Sequence, residues 1–600
     1  MPNKHLVLSI MPYHNSTAAL FEDGKCIEYH HEERFTNIKN YYGFPTKALN
    51  YLSKKYNFSK IEAVVIPSTI LTWFNPPLKS KTVKKTDFFT SISQSFLRTI
   101  LDSIEYNSSL YLDQKDLFFY IYRKIILENF TSPKAKQNLI NILSSKYNID
   151  PKKIYFYDHH TCHAQSVANF YNLYKSNKKT LIFSLDGSGD NYCAKIFTLN
   201  PKTKKIKLIS KTRFDSSIGL LYSQVTKFLG MKPSEHEYKV MGLAAYSTDP
   251  KYYLHIYKKL KKIIWLNKKT LSFESKINTN ISEIYLRKNL VGERFDNIAS
   301  ALQLLTQELI LSWIIQAIKK TKISQIACTG GVFMNVKVNQ IIPTYKSVKK
   351  VYFMPSSGDE SLCHGASTSY YLSKKIETYS DNSMFKGISY TSSQVENFLK
   401  KNDYFSKFKI SRSKNIEYTI AKLLANFKIV ARFTDNAEWG ARSLCNRAIL
   451  ANSSDLSSFY KVNDTIKMRD FWMPFAPTIL ENWASKYIKN WSRLSNKVKD
   501  SSRYMITAFD TTTLGQNHLR AAIHQKDKTI RPQIVFKNDN PKLYKLLSYY
   551  QKLTGMGGLL NTSFNLHGYP LATTLDQAMF TFQNSDLKYL AIEDFLIQKK

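Results

Sequence analysis

Apolar and polar positions repeat one pattern twice along this chain. Residues 6–10 form a short apolar run, 11–15 interrupt it with a turn that carries His14, 16–21 resume it, 22–25 read as a hairpin turn, and 26–31 make a third run. From residue 180 the order returns. An apolar run reaches 185, an Asp- and Gly-rich turn spans 186–190, a second run covers 191–199, a basic turn 201–205, and a third run 206–213. Two strand–turn–strand–turn–strand units predict two related subdomains facing each other across a cleft. Shorter strands are expected at 154–156, 323–328 and 350–354, with helices at 165–170 and 360–371. The most apolar segment, 309–318, is far short of a membrane span and reads as a buried helix. Residues 70–150 hold many aromatics and lysines, notably in 117–130, and are expected to form helices on the first subdomain that build an acceptor pocket or a subunit contact. Past residue 371 a polar stretch suggests a linker at 376–395. Helices at 394–401 and 416–427, a strand at 429–434, and a terminal helix followed by one closing strand at 589–598 complete the second domain.

Chemistry-bearing residues gather where these strands end. His159 and His163 are four apart, so on a helix both imidazoles share one face and can share a metal ion. Taken alone, the pair fits an ordinary helix start with buried, hydrogen-bonded histidines better than a metal site. Three further strand ends carry Asp186, the pair Gly330-Gly331 and Asp359, and in open α/β sheets ligands lie beyond such ends. Two imidazoles and two carboxylates make a first shell for iron, manganese or zinc; each aspartate alone would also serve as a cap or turn residue. Gly330 and Gly331 let a backbone approach a ligand, and the helix after Asn335 offers amides to a phosphate or ribose. Actin-like and sugar-kinase-like folds share this duplicated plan, with nucleotide phosphates at the first turn of each unit.

Composition narrows the partners. The 600 residues hold 86 Lys and Arg against 46 Asp and Glu, a net charge of +40, which favours anionic ligands such as nucleotides and phosphorylated metabolites. The lysines are spread along the whole chain, so solvated faces account for much of that charge. Six scattered cysteines with no CxxC pair argue against a disulfide framework and for a reducing, cytoplasmic setting. The first apolar run is too brief for a signal peptide core.

With these residues in hand, the chain resembles the O-carbamoyltransferase family, which includes tobramycin-, cephamycin- and novobiocin-type tailoring enzymes and a nodulation-factor carbamoyltransferase. The resemblance runs nearly end to end. It rests on His14-Asn15-Ser16, Glu32-Glu33-Arg34-Phe35-Thr36, His159-His160 with His163-Ala164, Leu185-Asp186-Gly187-Ser188-Gly189-Asp190, and Glu237-Tyr238-Lys239-Val240-Met241-Gly242. It continues through Gly330-Gly331-Val332 with Asn335, Ser357-Gly358-Asp359, Glu438-Trp439-Gly440-Ala441-Arg442-Ser443, Ile466-Lys467-Met468-Arg469, Pro474-Phe475-Ala476-Pro477 and Leu560-Asn561-Thr562-Ser563-Phe564-Asn565. The chain departs from the family pattern at Asn15, where aspartate is usual, and at Ala441, Cys445, Trp472-Met473 and Arg503.

The resemblance implies an α/β fold with an actin-like (ASKHA, threonylcarbamoyl-transferase-like) N-terminal domain over 1–375 and an α+β, YrdC-like domain over 396–600. It implies formation of carbamoyladenylate from ATP and carbamoyl phosphate in the second domain, then transfer to an acceptor hydroxyl in the first. The family's iron ligands fall on His159, His163, Asp186 and Asp359, and not on His160. Basic residues beside turns suit phosphate oxygens, which points to Arg442, Lys467, Arg469 and Arg531, with Asn561 and Asn565 as amide contacts. His14 is the candidate general base for the acceptor, Lys39 and Lys239 the candidates for stabilising charge on the carbamoyl or adenylate group, and Mg2+ is expected with ATP. A labile adenylate predicts an internal route between the two sites. The acceptor is a sugar or secondary metabolite whose identity is not readable; no stable nucleic-acid complex is expected, and a homodimer is left open. The alternatives are a tRNA threonylcarbamoyl transferase and a non-catalytic basic binding protein.

Overall fold

The protein, seen in a computed structural model, is described over residues 5–71 and 132–600; the helices expected around 117–130, and most of the acceptor region, lie outside those residues. Two five-stranded sheets open the fold. The first comprises β1 (Leu6–Met11), β2 (Thr17–Glu22), β3 (Lys25–His31), β4 (Ala63–Ile66) and β5 (Ile154–Phe156), in the order β3-β2-β1-β4-β5. The second comprises β6 (Thr180–Gly189), β7 (Tyr192–Asn200), β8 (Lys205–Arg213), β11 (Gln325–Thr329) and β12 (Lys350–Phe353), in the order β8-β7-β6-β11-β12; β9 (Ile264–Asn267) and β10 (Ser272–Ser275) pair separately. In each sheet the first three strands are antiparallel and the last two are added parallel. The duplicated plan is therefore present in strand order and direction, not only in spacing.

The second unit differs from its expectation at one place that matters. Residues 186–189 do not form a free turn; β6 continues through them, and the chain reverses at Asp190 and Asn191, both with positive φ (46° and 70°). The ladder to β7 is irregular between Leu185 and Gly189, a bulge that re-aims the Asp186 side chain.

The helix His159–Phe170 is cleanly started, because Asp158 accepts the Thr161 N–H at 2.8 Å. It packs in the core of the first sheet beside the helix Leu362–Ser373. A Cβ at Gly365 would stand 1.7 Å from the Cys162 carbonyl oxygen, so the two helices touch backbone to backbone. One carries His159 and His163, and the other follows directly on Asp359. Gly365→Ala is expected to cost about 3 kcal/mol or more, since this contact cannot yield without parting the helices; urea unfolding reads the loss, and an unchanged midpoint would refute the contact.

The helix Ser132–Tyr147 covers the first core with Ala135, Leu139, Leu143 and Tyr147. Among the described residues the longest helix, Phe295–Thr321, fills the second core and is the one helix long and apolar enough to cross a membrane, yet 67% of its apolar window is buried. Within the expected linker, 376–395, the stretch before residue 392 is held by both domains. Lys386 accepts from the Tyr29 N–H at 3.0 Å, and Met384 from the Trp439 N–H at 2.8 Å. The helix Ser392–Lys401 begins inside the expected span.

The second domain is an eight-stranded mixed sheet built from β13 (Lys409–Arg412), β14 (Val430–Phe433), β15 (Arg447–Asn452), β16 (Ala476–Leu480), β19 (Gln533–Val535), β20 (Gly558–Ser563), β21 (Tyr589–Ile592) and β22 (Phe595–Gln598). Their order is β13-β22-β21-β14-β15-β20-β16-β19, with β17 (Phe509–Asp510) and β18 (Thr529–Ile530) as a side pair. The single closing strand expected at 589–598 is a hairpin, because Glu593, at φ 47°, turns the chain.

Candidate functional site

Four ligand atoms from three separate elements meet in the first domain. One nitrogen each of His159 and His163 and one oxygen each of Asp186 and Asp359 lie within 4.8 Å of one another. His159 Nε2 is 3.3 Å and His163 Nε2 3.0 Å from Asp186 Oδ2, while Asp359 Oδ1 stands 3.7 and 3.8 Å from the same nitrogens. The bulge after Leu185 and the absence of a side chain at Gly189 make this fit, since a Cβ there would fall 2.2 Å from the His159 ring. Gly331 serves Asp186 likewise: its Cβ would lie 2.8 Å from Oδ1. Gly330, at φ 97°, would clash with the Leu185 carbonyl if it carried a side chain.

Burial and close approach shift the ionisation of these four groups in opposite directions. Burial works against the charge on Asp186, yet hydrogen bonds from His159 and His163 hold it well below the usual carboxylate range. Burial and the neighbouring Asp186 push Asp359 well above that range. Burial opposes a charge on His159 too, but Asp186 and Asp359 bring it up to about 9. Two imidazoles with two carboxylates are a donor set that suits iron, manganese or zinc, and such groups bind a metal in their deprotonated forms. His160 is excluded from the donor set by its own bonds. Its Nδ1 meets Ser184 Oγ at 2.7 Å and its Nε2 the Tyr192 carbonyl at 3.0 Å.

A second feature lies between the domains. A cavity of about 750 Å³ is walled on one side by Asn15, Arg34, Lys39, Lys239 and Glu360, and on the other by Arg442, Lys467, Arg469, Arg531 and Asn565. Lys467 is buried and points its ammonium at Ser563 O (2.6 Å), Ser563 Oγ (3.2 Å), Asn565 O (3.1 Å) and Asn565 Oδ1 (2.7 Å). Burial, with Arg469 and Lys39 nearby, holds it well below the usual lysine range. Burial lowers Arg442 to about 10, with Arg469 adding to the effect, and its Nε is buried without a partner. Arg531 is pushed well down by burial and then by Arg442 and Arg469. Lys239 reaches across to Asp470 at 2.9 Å, and Arg469 donates to Thr562 Oγ1 at 3.1 Å.

Other expected site residues stand apart from this cavity's wall. Asn561 is buried away from it and donates to the Ser443 carbonyl at 3.0 Å. Asn335 caps the helix Val336–Ile341 and exchanges hydrogen bonds with Gln303 at 2.9 and 3.1 Å, which engages both ends of its amide. His14 bridges to Tyr42 in a short antiparallel contact, with its Nε2 buried and unpartnered. Arg447 is fully buried, donates to the carbonyls of Thr434, Ile388, Asp435 and Asn446, and stacks 3.8 Å over Phe433. It ties strand to connecting segment.

Glu360 and Arg34 are among the cavity residues that escaped the reading of the sequence. Glu360, buried and next to Asp359, accepts from Asn15 Nδ2 at 3.1 Å and from Ser356 Oγ. An aspartate at position 15 would set two carboxylates against each other there, so the amide suits its partner. Arg34 donates to the carbonyls of Glu438 and Gly440 and holds the domains together. Its place inside the Glu32–Thr36 motif was the available signal.

Comparison with known proteins agrees with this layout. Residues 4–368 match the model described as carbamoyltransferase N-terminus, and 421–599 the model described as carbamoyltransferase C-terminus. An uncharacterised protein of Methanocaldococcus jannaschii is 29% identical, covering 95% of each chain. Nodulation protein NolNO of Sinorhizobium fredii is 24% identical over 98% of this chain and 79% of its own, and nodulation protein NolO of Bradyrhizobium diazoefficiens 25% over 74% and 79%. Among solved structures, full-length HypF in its phosphate- and nucleotide-bound form has 12% identity and a TM-score of 0.31 over 63% of this chain and 57% of its own. Component A of the Acidaminococcus fermentans (R)-2-hydroxyglutaryl-CoA dehydratase has 10% identity and the same TM-score over 62% and 99%. With matches over both domains and nearly all of the sequence, this chain belongs to the carbamoyltransferase family.

Proposed function

We propose that the protein is an ATP-dependent O-carbamoyltransferase that forms carbamoyladenylate in its YrdC-like second domain and passes the carbamoyl group to a hydroxyl of a sugar or secondary metabolite. The observation that carries this reading is the cavity between the domains, where Arg442, Lys467, Arg469 and Arg531 crowd together; burial holds all four below their usual ranges, and Arg469 adds to the effect on the other three. Such crowding is relieved by a polyanion, and ATP with carbamoyl phosphate provides one. Water cleaves carbamoyl phosphate to carbamate and phosphate. The carbamate oxygen then attacks the α-phosphorus of ATP, pyrophosphate leaves, and carbamoyladenylate remains. The acceptor oxygen attacks the carbamoyl carbon and AMP departs.

In this scheme the arginines hold and orient the phosphates, and Mg2+ accompanies ATP. Lys39 and Lys239, on the opposite wall of the same cavity, offset charge on the adenylate as it moves toward the first domain. His14, with a free buried Nε2, accepts the acceptor's proton. Glycines 330 and 331 keep the backbone close beside Asp186. His159, His163, Asp186 and Asp359 would hold iron(II), which when bound supplies a Lewis acid for an oxygen of phosphate or carbonyl. A cytoplasmic setting is supported by six cysteines that are all buried and free. A tRNA-modifying threonylcarbamoyl transferase would have no use for the Arg442, Arg469 and Arg531 cluster on the same chain.

The test is an incubation of the full chain with ATP, Mg2+, iron(II) and labelled carbamoyl phosphate. Expected are AMP and pyrophosphate in equal amounts, dependent on carbamoyl phosphate, and label transferred to hydroxyl acceptors. Absence of any carbamoyl-phosphate-dependent AMP would defeat the proposal.

A further inference from the structure

We infer that Asp190 is a positioning residue for the metal centre, fastening the helix that carries His159 and His163, with the loop at 68–70, to the second repeat that supplies Asp186. This rests on the metal reading above and adds a residue that binds no metal itself. Asp190 sits at the tip of the β6–β7 reversal with φ 46°. Its carboxylate takes five hydrogen bonds. Oδ1 accepts from Ser68 Oγ at 2.7 Å and the Ile70 N–H at 2.9 Å. Oδ2 accepts from the Thr69 N–H, Thr69 Oγ1 and the His159 N–H, each at 2.9 Å.

Those donors come from two places that share no other carboxylate among the described residues. Residues 68–70 follow the carboxyl end of β4 in the first sheet, and His159 is the first residue of the helix that carries the proposed metal ligands. The acceptor belongs to the second repeat, four residues after Asp186. One carboxylate therefore joins the loop of the first repeat, the backbone of one ligand residue and the strand that supplies another. Two oxygens offer about four acceptor positions, so five donors use the group to its limit. An asparagine has one oxygen and an NH2 group. Whichever way it turns, at least two N–H or O–H donors face another donor, and either the loop or the His159 amide is released.

The metal ligands themselves are untouched by that change. A residue that only orients ligands typically alters metal affinity by about 10- to 100-fold. The test is titration of the full chain, stripped of metal, with Mn(II), followed by loss of the free-ion EPR signal. Asp190→Asn is expected to weaken binding by about 10- to 100-fold, while Thr69→Val, which removes one hydroxyl donor and leaves the His159 N–H in place, stays within about twofold of the parent. Melting temperature is recorded alongside. A lower melting temperature in Asp190→Asn with unchanged Mn(II) affinity would mean a structural role only, and would overturn the inference.

If Asp190→Asn does not fold, the unaltered chain still decides the matter. Linkage is reciprocal, so Mn(II) binding should slow hydrogen exchange of the Thr69 and Ile70 amides, which bond to Asp190 and to no metal ligand. Unchanged exchange in a peptide covering these residues overturns the inference while leaving the metal site standing. A parent chain that takes up no Mn(II) removes the metal reading and this inference together, and that outcome is distinct from the other two.

Discussion

Asp359→Ala is expected to lower carbamoyl transfer to a hydroxyl acceptor by roughly a thousandfold while carbamoyl-phosphate-dependent release of pyrophosphate from ATP stays within about twofold. Lewis-acid stabilisation of about 4 kcal/mol accounts for a factor of that size. Asp359 Oδ1 is the one donor that closes the cluster from the side of the second helix, 3.7 and 3.8 Å from the two imidazoles. Without it, two imidazoles and Asp186 remain, and the charge opposite a divalent ion falls by one. Iron content measured on the purified variant should drop in step with transfer. Equal loss of pyrophosphate release would show that the cluster serves the second domain's chemistry, and would contradict the division of labour. Full transfer at full rate without iron would remove the metal from the reaction.

That division could be read from the sequence only in part, for reasons that lie in particular residues. The duplicated sheet was legible because short apolar runs and the turns between them recur in the same order in both repeats, and their burial is continuous along most of these strands. The His159, His163, Asp186 and Asp359 cluster was legible because each residue ends a strand or starts a helix beside a strand end, positions a parallel sheet brings together. The continuation of β6 through Asp186 was not, since Asp-Gly-Ser-Gly is what a turn would contain; only the approach of His159 explains why Gly189 lies in a strand. Glu360 escaped because its partners, Asn15 and Ser356, lie on different elements. Asn561 and Asn335 looked like ligand contacts because a strand end and a helix start invite that reading. In the fold their amides serve a loop carbonyl and a helix cap. Composition fared worst. A net charge of +40 says nothing of where four cations converge, and that convergence is the informative part.

Arg531→Met should therefore separate stability from function in the second domain. Arg531 lies on the cavity wall, held well below the usual arginine range by burial and by Arg442 and Arg469, and no hydrogen bond or ion pair reaches it among the described residues. A group whose folded-state pKa is depressed weighs against folding in its charged form, so removing the charge relieves the ligand-free protein. A gain on the order of 1 kcal/mol is expected in the unfolding free energy measured without ATP, from lost desolvation and repulsion. The same change removes a guanidinium fork from a bound phosphate. That costs about 2–4 kcal/mol, or roughly 30- to 1,000-fold in ATP affinity. Stabilisation by ATP, read as the shift in melting temperature on adding nucleotide, should then nearly vanish in the variant although its unliganded melting temperature rises. Iron content should be unchanged, the reverse of Asp359→Ala. A variant that is less stable without ATP would mean that Arg531 supports the fold through contacts its surroundings do not display. Retention of the full ATP-induced shift would move the phosphates away from this wall, leaving Arg442 and Arg469 to be tested in its place.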